Sequence, residues 1–207
     1  MNTPKIKYVI FDLGGVLIDW NPEYLFEKVF DGDRKKMKYF LNNVCTQAWN
    51  MEQDAGRTFE EGAQNLIKNH PEYKNEITMY FSRWEEMLRG EIKDTLLILN
   101  DLRSLSEVKL YALTNWSAET FPIAKERFEF LNYFEGIVVS GEEHVRKPFK
   151  KIYEILLNRF ELSAQHCVFI DDSAENIEGA DKMGINGIHY KNSKQLKKDL
   201  QLLKVLP

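Results

Sequence analysis

Four short stretches carry the polar groups that could do chemistry. They are Asp12 ahead of Gly14-Gly15, the pair Thr114-Asn115, Lys147, and the pair Asp171-Asp172. Together they supply a potential nucleophile, a hydroxyl donor, a cation and two adjacent carboxylates. Covalent phosphoryl transfer assisted by a metal ion needs that combination: an attacking carboxylate, groups that neutralise the transferred anion, and oxygen ligands for the ion. Each stretch alone also has an ordinary explanation. Asp12 before two glycines suits a turn, Asp172 or Ser173 suits a helix cap, and Lys147 beside Arg146 suits a solvated loop. What decides is where the fold puts them.

Tyr8-Val9-Ile10-Phe11 is an unbroken apolar run, the pattern of a strand buried on both faces of a parallel sheet. Asp12 falls where that strand should stop, and the glycine pair lets the chain turn away without steric cost. In open α/β sheets the carboxyl edge of the strands is where ligands bind. Residues 17–22 read as an exit linker, with Pro22 placed to begin a helix. From about 23 to 89 the apolar residues recur only at helical spacing: Tyr24, Leu25, Phe26, Val29 and Phe30, then Met37, Phe40, Leu41 and Val44, with further stretches at 59–67 and 77–88.

Beyond residue 92 helix and strand alternate. The spacing predicts a helix over 94–105, with Leu96, Leu97, Leu99, Leu102 and Leu105 on one face, and a strand over 108–114. Helices follow at 118–128, 149–160 and 176–183, strands at 136–140, 166–170 and 188–190, and a terminal helix turns Leu196, Leu200 and Leu203 inward. This alternation implies an α/β fold, a doubly wound parallel sheet with right-handed crossovers, interrupted by a wholly helical module. All four polar stretches then fall at strand ends or in the loops that follow. Four together at one sheet edge are hard to explain as caps.

The 207 residues suffice for one large domain or for a domain carrying an insertion. With Lys+Arg 28 against Asp+Glu 32, a net charge of −4, the chain offers no basic surface for nucleic acid or membrane. Two distant cysteines, Cys45 and Cys167, make neither a disulfide framework nor a thiolate metal site, and point to a reducing cytoplasm. No apolar segment approaches membrane-spanning length, and the N-terminal run is cut by Asp12 rather than followed by a cleavage site. A soluble protein is expected. His70, His144, His166 and His189 lack metal-ligand spacing, and neither a Gly-x-Ser-x-Gly elbow nor a Walker-type loop is present.

In order along the chain, Phe11-Asp12-Leu13-Gly14-Gly15-Val16, Leu113-Thr114-Asn115, Lys147-Pro148 and Phe169-Ile170-Asp171-Asp172-Ser173 resemble the four motifs of the haloacid dehalogenase (HAD) superfamily. The helical module falls in the gap where the branch with a helical (C1) cap carries it. The resemblance spans essentially the whole chain. It implies a Rossmann-like core of residues 1–18 and 90–207 with a helical cap at 19–89. It also implies Mg²⁺-dependent hydrolysis of a small phosphorylated metabolite through an aspartyl-phosphate on Asp12. Mg²⁺ would take a carboxylate oxygen of Asp12, the carbonyl of Gly14 and a carboxylate of Asp172, with Asp171 binding directly or through water. Thr114 would donate its hydroxyl and Asn115 its amide to the phosphoryl oxygens, and Lys147 would bridge Asp12 and phosphate.

One position departs from the common phosphatase pattern. Two residues after the nucleophile, where a second Asp would protonate the leaving oxygen, stands Gly14. A missing general acid costs about 10²- to 10⁴-fold in rate. This Asp-x-Gly-x-Val form is similar to that of sugar-phosphatase-like members, including α-D-glucose-1-phosphate phosphatase. A sugar 1-phosphate would need less help, and Asp19 or Asp54 could instead carry the proton. The alternatives are a 2-haloacid dehalogenase, whose halide leaves unaided, and a phosphate- or partner-binding protein without turnover. Against the dehalogenase stands the Asp171-Asp172 pair, which without a metal would raise the pKa of Asp12 and blunt it. In the helical module, the segment 49–57 resembles a substrate loop, with Gln53, Asp54 and Arg57 as expected contacts; the competing reading is an interhelix loop with Trp49 in its core. Trp20 and Trp116 flank the motifs as candidate cleft walls.

Overall fold

The computed structural model describes residues 4–207; positions 1–3 of the expected core lie outside the described residues. Strand β1 (Tyr8–Phe11) leads through the Gly14-Gly15 turn to a short strand β2 (Ile18–Trp20). Five helices follow: α1 (Glu23–Val29), α2 (Arg34–Asn43), α3 (Gln47–Asp54), α4 (Phe59–Asn69) and α5 (Lys74–Ser82). Strand β3 (Leu88–Glu91) closes this insertion. The chain then runs α6 (Lys93–Arg103), β4 (Lys109–Thr114), α7 (Phe121–Arg127), β5 (Gly136–Val139), α8 (Ser140–Glu143), α9 (Lys150–Arg159), β6 (Cys167–Asp171), α10 (Ala174–Asp181), β7 (Asn186–His189) and α11 (Ser193–Leu202).

Five strands form a parallel sheet in the order β5-β4-β1-β6-β7, with β1 central. Its apolar run is explained by what lies on either side. Val9 and Phe11 belong to one hydrophobic cluster and Ile10 to another, because alternate side chains point to opposite faces. The second cluster is completed by Ile152, Tyr153 and Leu156 of α9 and by Ile177 and Ala180 of α10. The first is completed by α6, α7 and α11 through Ile98, Leu99 and Leu102, Phe121 and Ala124, and Leu196 and Leu200. Helices therefore cover both faces, and the doubly wound α/β architecture is present. The core of the insertion, with Leu25, Phe26, Phe40, Ile77 and Tyr80, is continuous with the first cluster.

The structure corrects two local expectations. Residues 17–22 are not a plain linker, and the segment up to 89 is not wholly helical. Ile18–Trp20 pairs antiparallel with Leu88–Glu91, Ile18 opposite Glu91 and Trp20 opposite Leu88, with an irregularity between Asp19 and Trp20. This ribbon sits where the chain enters and leaves the insertion. Neither strand has an alternating pattern, so only the pairing creates them. Leu97, expected on the buried face of α6, is 63% exposed, because at 3.6 residues per turn it points away from the face that Thr95, Ile98, Leu99 and Leu102 bury. Among the described residues no helix is long and apolar enough to cross a membrane.

Candidate active site

Strand register gathers the motifs. Phe11 is level with Ala112 on one neighbour and with Ile170 on the other, and Asp12 N–H donates to the Ile170 carbonyl at 2.8 Å. Asp12 therefore stands beside the ends of β4 and β6, which finish in Thr114 and Asp171. Lys147 reaches the same point from the loop after α8. It is fully buried, and its ammonium lies 2.9 Å from Asp12 Oδ1, 2.7 Å from Asp171 Oδ2 and 2.9 Å from the Leu113 carbonyl. Its three protons thus have three acceptors. Burial alone would lower its pKa, but Asp12 and Asp171 outweigh that and hold it above the usual lysine range.

Asp12 is 7% exposed, and Oδ1 takes the bond from Leu13 N–H at 2.7 Å as well as the ammonium. Oδ2 carries no hydrogen bond among the described residues. Burial pushes the Asp12 carboxyl up to about 7, against the lowering by Lys147 and with further raising by Asp171 and Asp172. Asp172 is raised as well, by burial and by Asp171. The carboxylates of Asp12, Asp171 and Asp172 each present an oxygen within 4.8 Å of the others. Three carboxylates face one ammonium, so the cluster is short of positive charge. Its donors are all hard oxygens, the set that suits an ion such as Mg²⁺. Gly15 has φ +74°, and a Cβ there would meet Asp172 Oδ2 at 2.2 Å, so the glycine lets this carboxylate lie against the turn.

Asp171 is committed more deeply than its partners. Ser173 N–H donates to Oδ1 at 2.8 Å, and Asn176 Nδ2 lies 3.0 and 3.1 Å from its two oxygens. With Lys147 on Oδ2, it chiefly orients the lysine. Asn176 was missed in the sequence because it looks like the ordinary start of a helix; its spacing of five from Asp171 was the available signal. Ser173, one of the two expected caps, holds the N-terminus of α10 through Asn176 N–H.

Thr114 Oγ1 is buried and is the one buried side-chain polar atom without a hydrogen-bond partner among the described residues. An orphaned donor costs about 1–3 kcal/mol, so it marks a place where an acceptor belongs. Asn115 behaves differently from expectation. Its Nδ2 donates to the Lys147 carbonyl at 3.1 Å and its Oδ1 accepts from Lys147 N–H at 2.8 Å. The amide holds the lysine's backbone through these two bonds, and Asn115 also lines the cleft beside Gly14.

Beside Gly14, two residues on from Asp12, opens a cleft with about 440 Å³ of atom-free space, part of it open to solvent. Gly14, Asn115, Trp116, Ser117 and Thr120 form the core side; Trp20, Asn50, Asp54, Phe59 and Trp84 come from the ribbon and insertion. Trp84 meets Trp116 edge to face at 5.5 Å across the boundary. Trp20 and Trp116 do line the cleft; Phe59, Trp84 and Ser117 were not anticipated, since nothing in their local sequence separates them from packing residues. Of the three expected contacts on the loop, Asp54 reaches the cavity. Gln53 is fully buried, donating to the Trp49 carbonyl at 2.8 Å and accepting from Arg57 Nε at 2.6 Å. Arg57 also donates to the Trp49 carbonyl at 3.0 Å. Both stitch the end of α3 to the turn after it and neither lines the cavity; Trp49 packs on Tyr80 and Phe81 in the core of the insertion. Asp19 is likewise engaged, accepting from the Tyr24 hydroxyl at 2.8 Å.

A sequence profile of the haloacid dehalogenase-like hydrolases matches residues 6–184. The chain belongs to this family. It is 29% identical over 187 residues to a sesquiterpene phosphatase of Aspergillus oryzae, covering 90% of this chain and 91% of that protein. It is 25% identical to the human N-acylneuraminate-9-phosphatase, covering 93% and 85%. A HAD-family enzyme from Bacteroides thetaiotaomicron, solved with magnesium and inorganic phosphate, superposes with a TM-score of 0.68 at 24% identity over 90% of this chain and 94% of that one. The HAD core of that neighbour matches the sheet seen here, and the chain is a hydrolase.

Proposed function

We propose that this HAD hydrolase is a Mg²⁺-dependent phosphatase that hydrolyses a small phosphomonoester through a covalent intermediate on Asp12. One observation carries the reading: three carboxylates gathered within 4.8 Å against a single ammonium. A dehalogenase has no use for such a surplus of negative charge, which would only hold Asp12 protonated. A metal ion and a phosphoryl group give it a purpose.

Asp12 Oδ2, free of hydrogen bonds, is the attacking atom, while Lys147 holds Oδ1 and steadies the carboxylate. Thr114 Oγ1 donates to an oxygen of the transferred group, which ends its isolation. Asp12, the Gly14 carbonyl and Asp172 would hold Mg²⁺, with Asp171 behind them gripping Lys147. When bound, the ion supplies Lewis-acid neutralisation of charge on the phosphoryl oxygens. The helical insertion acts as a cap, residues 19–89 over a core of 1–18 and 90–207, and supplies half of the cavity wall. The buried free thiols of Cys45 and Cys167, in separate cores, fit a reducing cytoplasm.

The cavity receives the leaving alcohol. Its walls hold four aromatic rings and no cation, which favours an uncharged leaving group. Indole faces with Asn50, Ser117 and Thr120 between them suit a sugar ring, whose C–H faces stack while its hydroxyls find partners. A terpenyl phosphate is a second reading, favoured by the apolar walls of Phe59, Trp84 and Trp116 and by the likeness to a sesquiterpene phosphatase. Phosphate release from sugar 1-phosphates, sugar 6-phosphates, farnesyl phosphate and p-nitrophenyl phosphate, with and without Mg²⁺ and beside Asp12→Asn, tests the proposal. Metal-dependent release abolished in the variant supports it. No release from any compound sinks it.

A further inference from the structure

At the second position after the nucleophile the chain carries no proton donor, and the backbone leaves the place open. Gly14 lines the cavity, and a Cβ built on it would meet nothing within 4 Å. Around that gap the other wall residues are aromatic rings, amides and hydroxyls: Trp20, Asn50, Phe59, Trp84, Asn115, Trp116, Ser117 and Thr120, and Asp54. Among them Asp54 alone bears an ionisable side chain. Resting on the phosphatase reading above, we propose that Asp54, carried into the site by the helical insertion, is the general acid and base that the core lacks at Gly14.

The C-terminal end of α3, which carries Asp54, and the turn that follows it are fastened to the core at three points. Ser140, fully buried at the start of α8, donates from Oγ to the Asp54 carbonyl while accepting from Trp116 N–H at 3.0 Å. Glu119 Oε2 accepts from Phe59 N–H at 2.6 Å. His144 packs so closely on Gly56, which has φ +98°, that a Cβ there would lie 2.2 Å from Nδ1. These contacts set the position of the carboxyl, and they exist only while insertion and core are docked. Ser140 is the positioning residue. Proton delivery is thereby tied to closure, so that the reaction runs with the leaving group enclosed.

The protonation state suits the role. Burial pushes the Asp54 carboxyl up to about 7, against the lowering effects of Arg146 and Lys147. Asn50 Nδ2 lies 3.3 Å from Oδ2. In the first half-reaction, Asp12 Oδ2 bonds to phosphorus as the bond from phosphorus to the leaving oxygen breaks. That oxygen takes the proton of Asp54, and the alcohol departs. In the second, water attacks phosphorus, the Asp54 carboxylate accepts its proton, the bond to Asp12 breaks, and phosphate leaves with Asp54 protonated again.

The experiment is rapid-mix kinetics on the full chain with Mg²⁺, comparing wild type, Asp54→Asn and the double variant Gly14→Asp/Asp54→Asn. p-Nitrophenyl phosphate needs no acid for its departing phenolate, whereas a hexose 6-phosphate does. Asp54→Asn should release about one p-nitrophenolate per enzyme at near the wild-type rate and then stall, with turnover down about 10²- to 10⁴-fold and phosphate held on the protein. It should give no burst of alcohol from the hexose 6-phosphate. The double variant, with a carboxylate restored where Gly14 leaves room, should recover turnover on both substrates. A structural role for Asp54 would not produce that recovery. Loss of the burst, unchanged turnover, or no rescue by Gly14→Asp would overturn the proposal while leaving the phosphatase reading intact. Failure of the wild type on both compounds would overturn both.

Discussion

Asn115 and Lys147 hold each other by the backbone: Lys147 N–H donates to Asn115 Oδ1 at 2.8 Å, and Asn115 Nδ2 returns a bond to the Lys147 carbonyl at 3.1 Å. One side chain thus spans two loops that meet only in the folded protein. A lysine stem is flexible, and an ammonium that must sit between two carboxylates gains from a fixed root. Asn115→Ala removes both bonds and leaves the Lys147 N–H to find water, while the Lys147 carbonyl keeps the bond from Arg146 Nη1 at 2.9 Å. Stability should fall by about 1–3 kcal/mol. Turnover should fall by about 10-fold or more with little change in KM, since the lysine acts on the reacting group rather than on the leaving alcohol. Thermal unfolding and steady-state kinetics on p-nitrophenyl phosphate check the two halves separately.

Thr114 makes the opposite prediction for stability. Its buried hydroxyl has no partner among the described residues, so Thr114→Val exchanges an unsatisfied polar atom for a methyl of similar size. The variant should be as stable as wild type, or more stable by about 1 kcal/mol. Activity should drop by about 10²- to 10³-fold, the cost of one lost donor to a developing anion. Paired losses of stability and activity would mean that the hydroxyl serves the fold instead.

Gly15 is where the turn and the metal cluster touch. Gly15→Ala places a methyl 2.2 Å from Asp172 Oδ2 in a backbone conformation with φ +74°. Something must move, and the neighbour is a proposed ligand. Apparent Mg²⁺ affinity should weaken by about 10- to 100-fold, as for other changes that displace a ligand from behind. Isothermal titration of Mg²⁺ into the variant measures it, and an unchanged affinity would remove Asp172 from the ligand set.

Proton and metal compete at Asp12. Folding raises its carboxyl from 3.8 to about 7, chiefly by burial, so the folded protein binds this proton more tightly than the unfolded chain. The metal-free fold therefore has the full contribution of this group below about pH 4 and loses it as pH rises through about 7. Mg²⁺ binds the deprotonated form and reverses the trend. The increase in Tm produced by a fixed Mg²⁺ concentration should be larger at pH 8 than at pH 6. Differential scanning calorimetry at the two pH values, in matched ionic strength, gives the comparison; equal shifts would separate Asp12 from the ion.

Much of the core was legible because its signals are local. A strand buried on both faces must be apolar at every position, and Val9, Ile10 and Phe11 satisfy that without reference to the rest of the chain. A parallel sheet also has one carboxyl edge, so the alternation of elements was enough to bring Asp12, Thr114, Lys147 and Asp171 to the same place. Leu97 shows that an apolar run is not a face: it shares the run with buried residues, but the helical turn points it away from Thr95, Ile98, Leu99 and Leu102. The β2–β3 ribbon had no signal, since Leu88-Arg89-Gly90-Glu91 becomes a strand only by pairing with a segment about seventy residues away in the chain.

Within the site the division is sharper. Residue types together with the alternation of elements pointed to a nucleophile, a hydroxyl, a cation and paired carboxylates meeting at one sheet edge, because those types at strand ends have few other uses in combination. Tertiary structure decided what each side chain does there. Asn115 turned to the Lys147 backbone, Gln53 and Arg57 to the Trp49 carbonyl, and Asp171 to Lys147 and Asn176, leaving the Thr114 hydroxyl without a partner among the described residues and Asp54 facing the cavity. Sequence specifies which donors and acceptors exist. Which of them are left over for a substrate depends on which have already been satisfied by partners distant in the chain, and that accounting closes only in three dimensions.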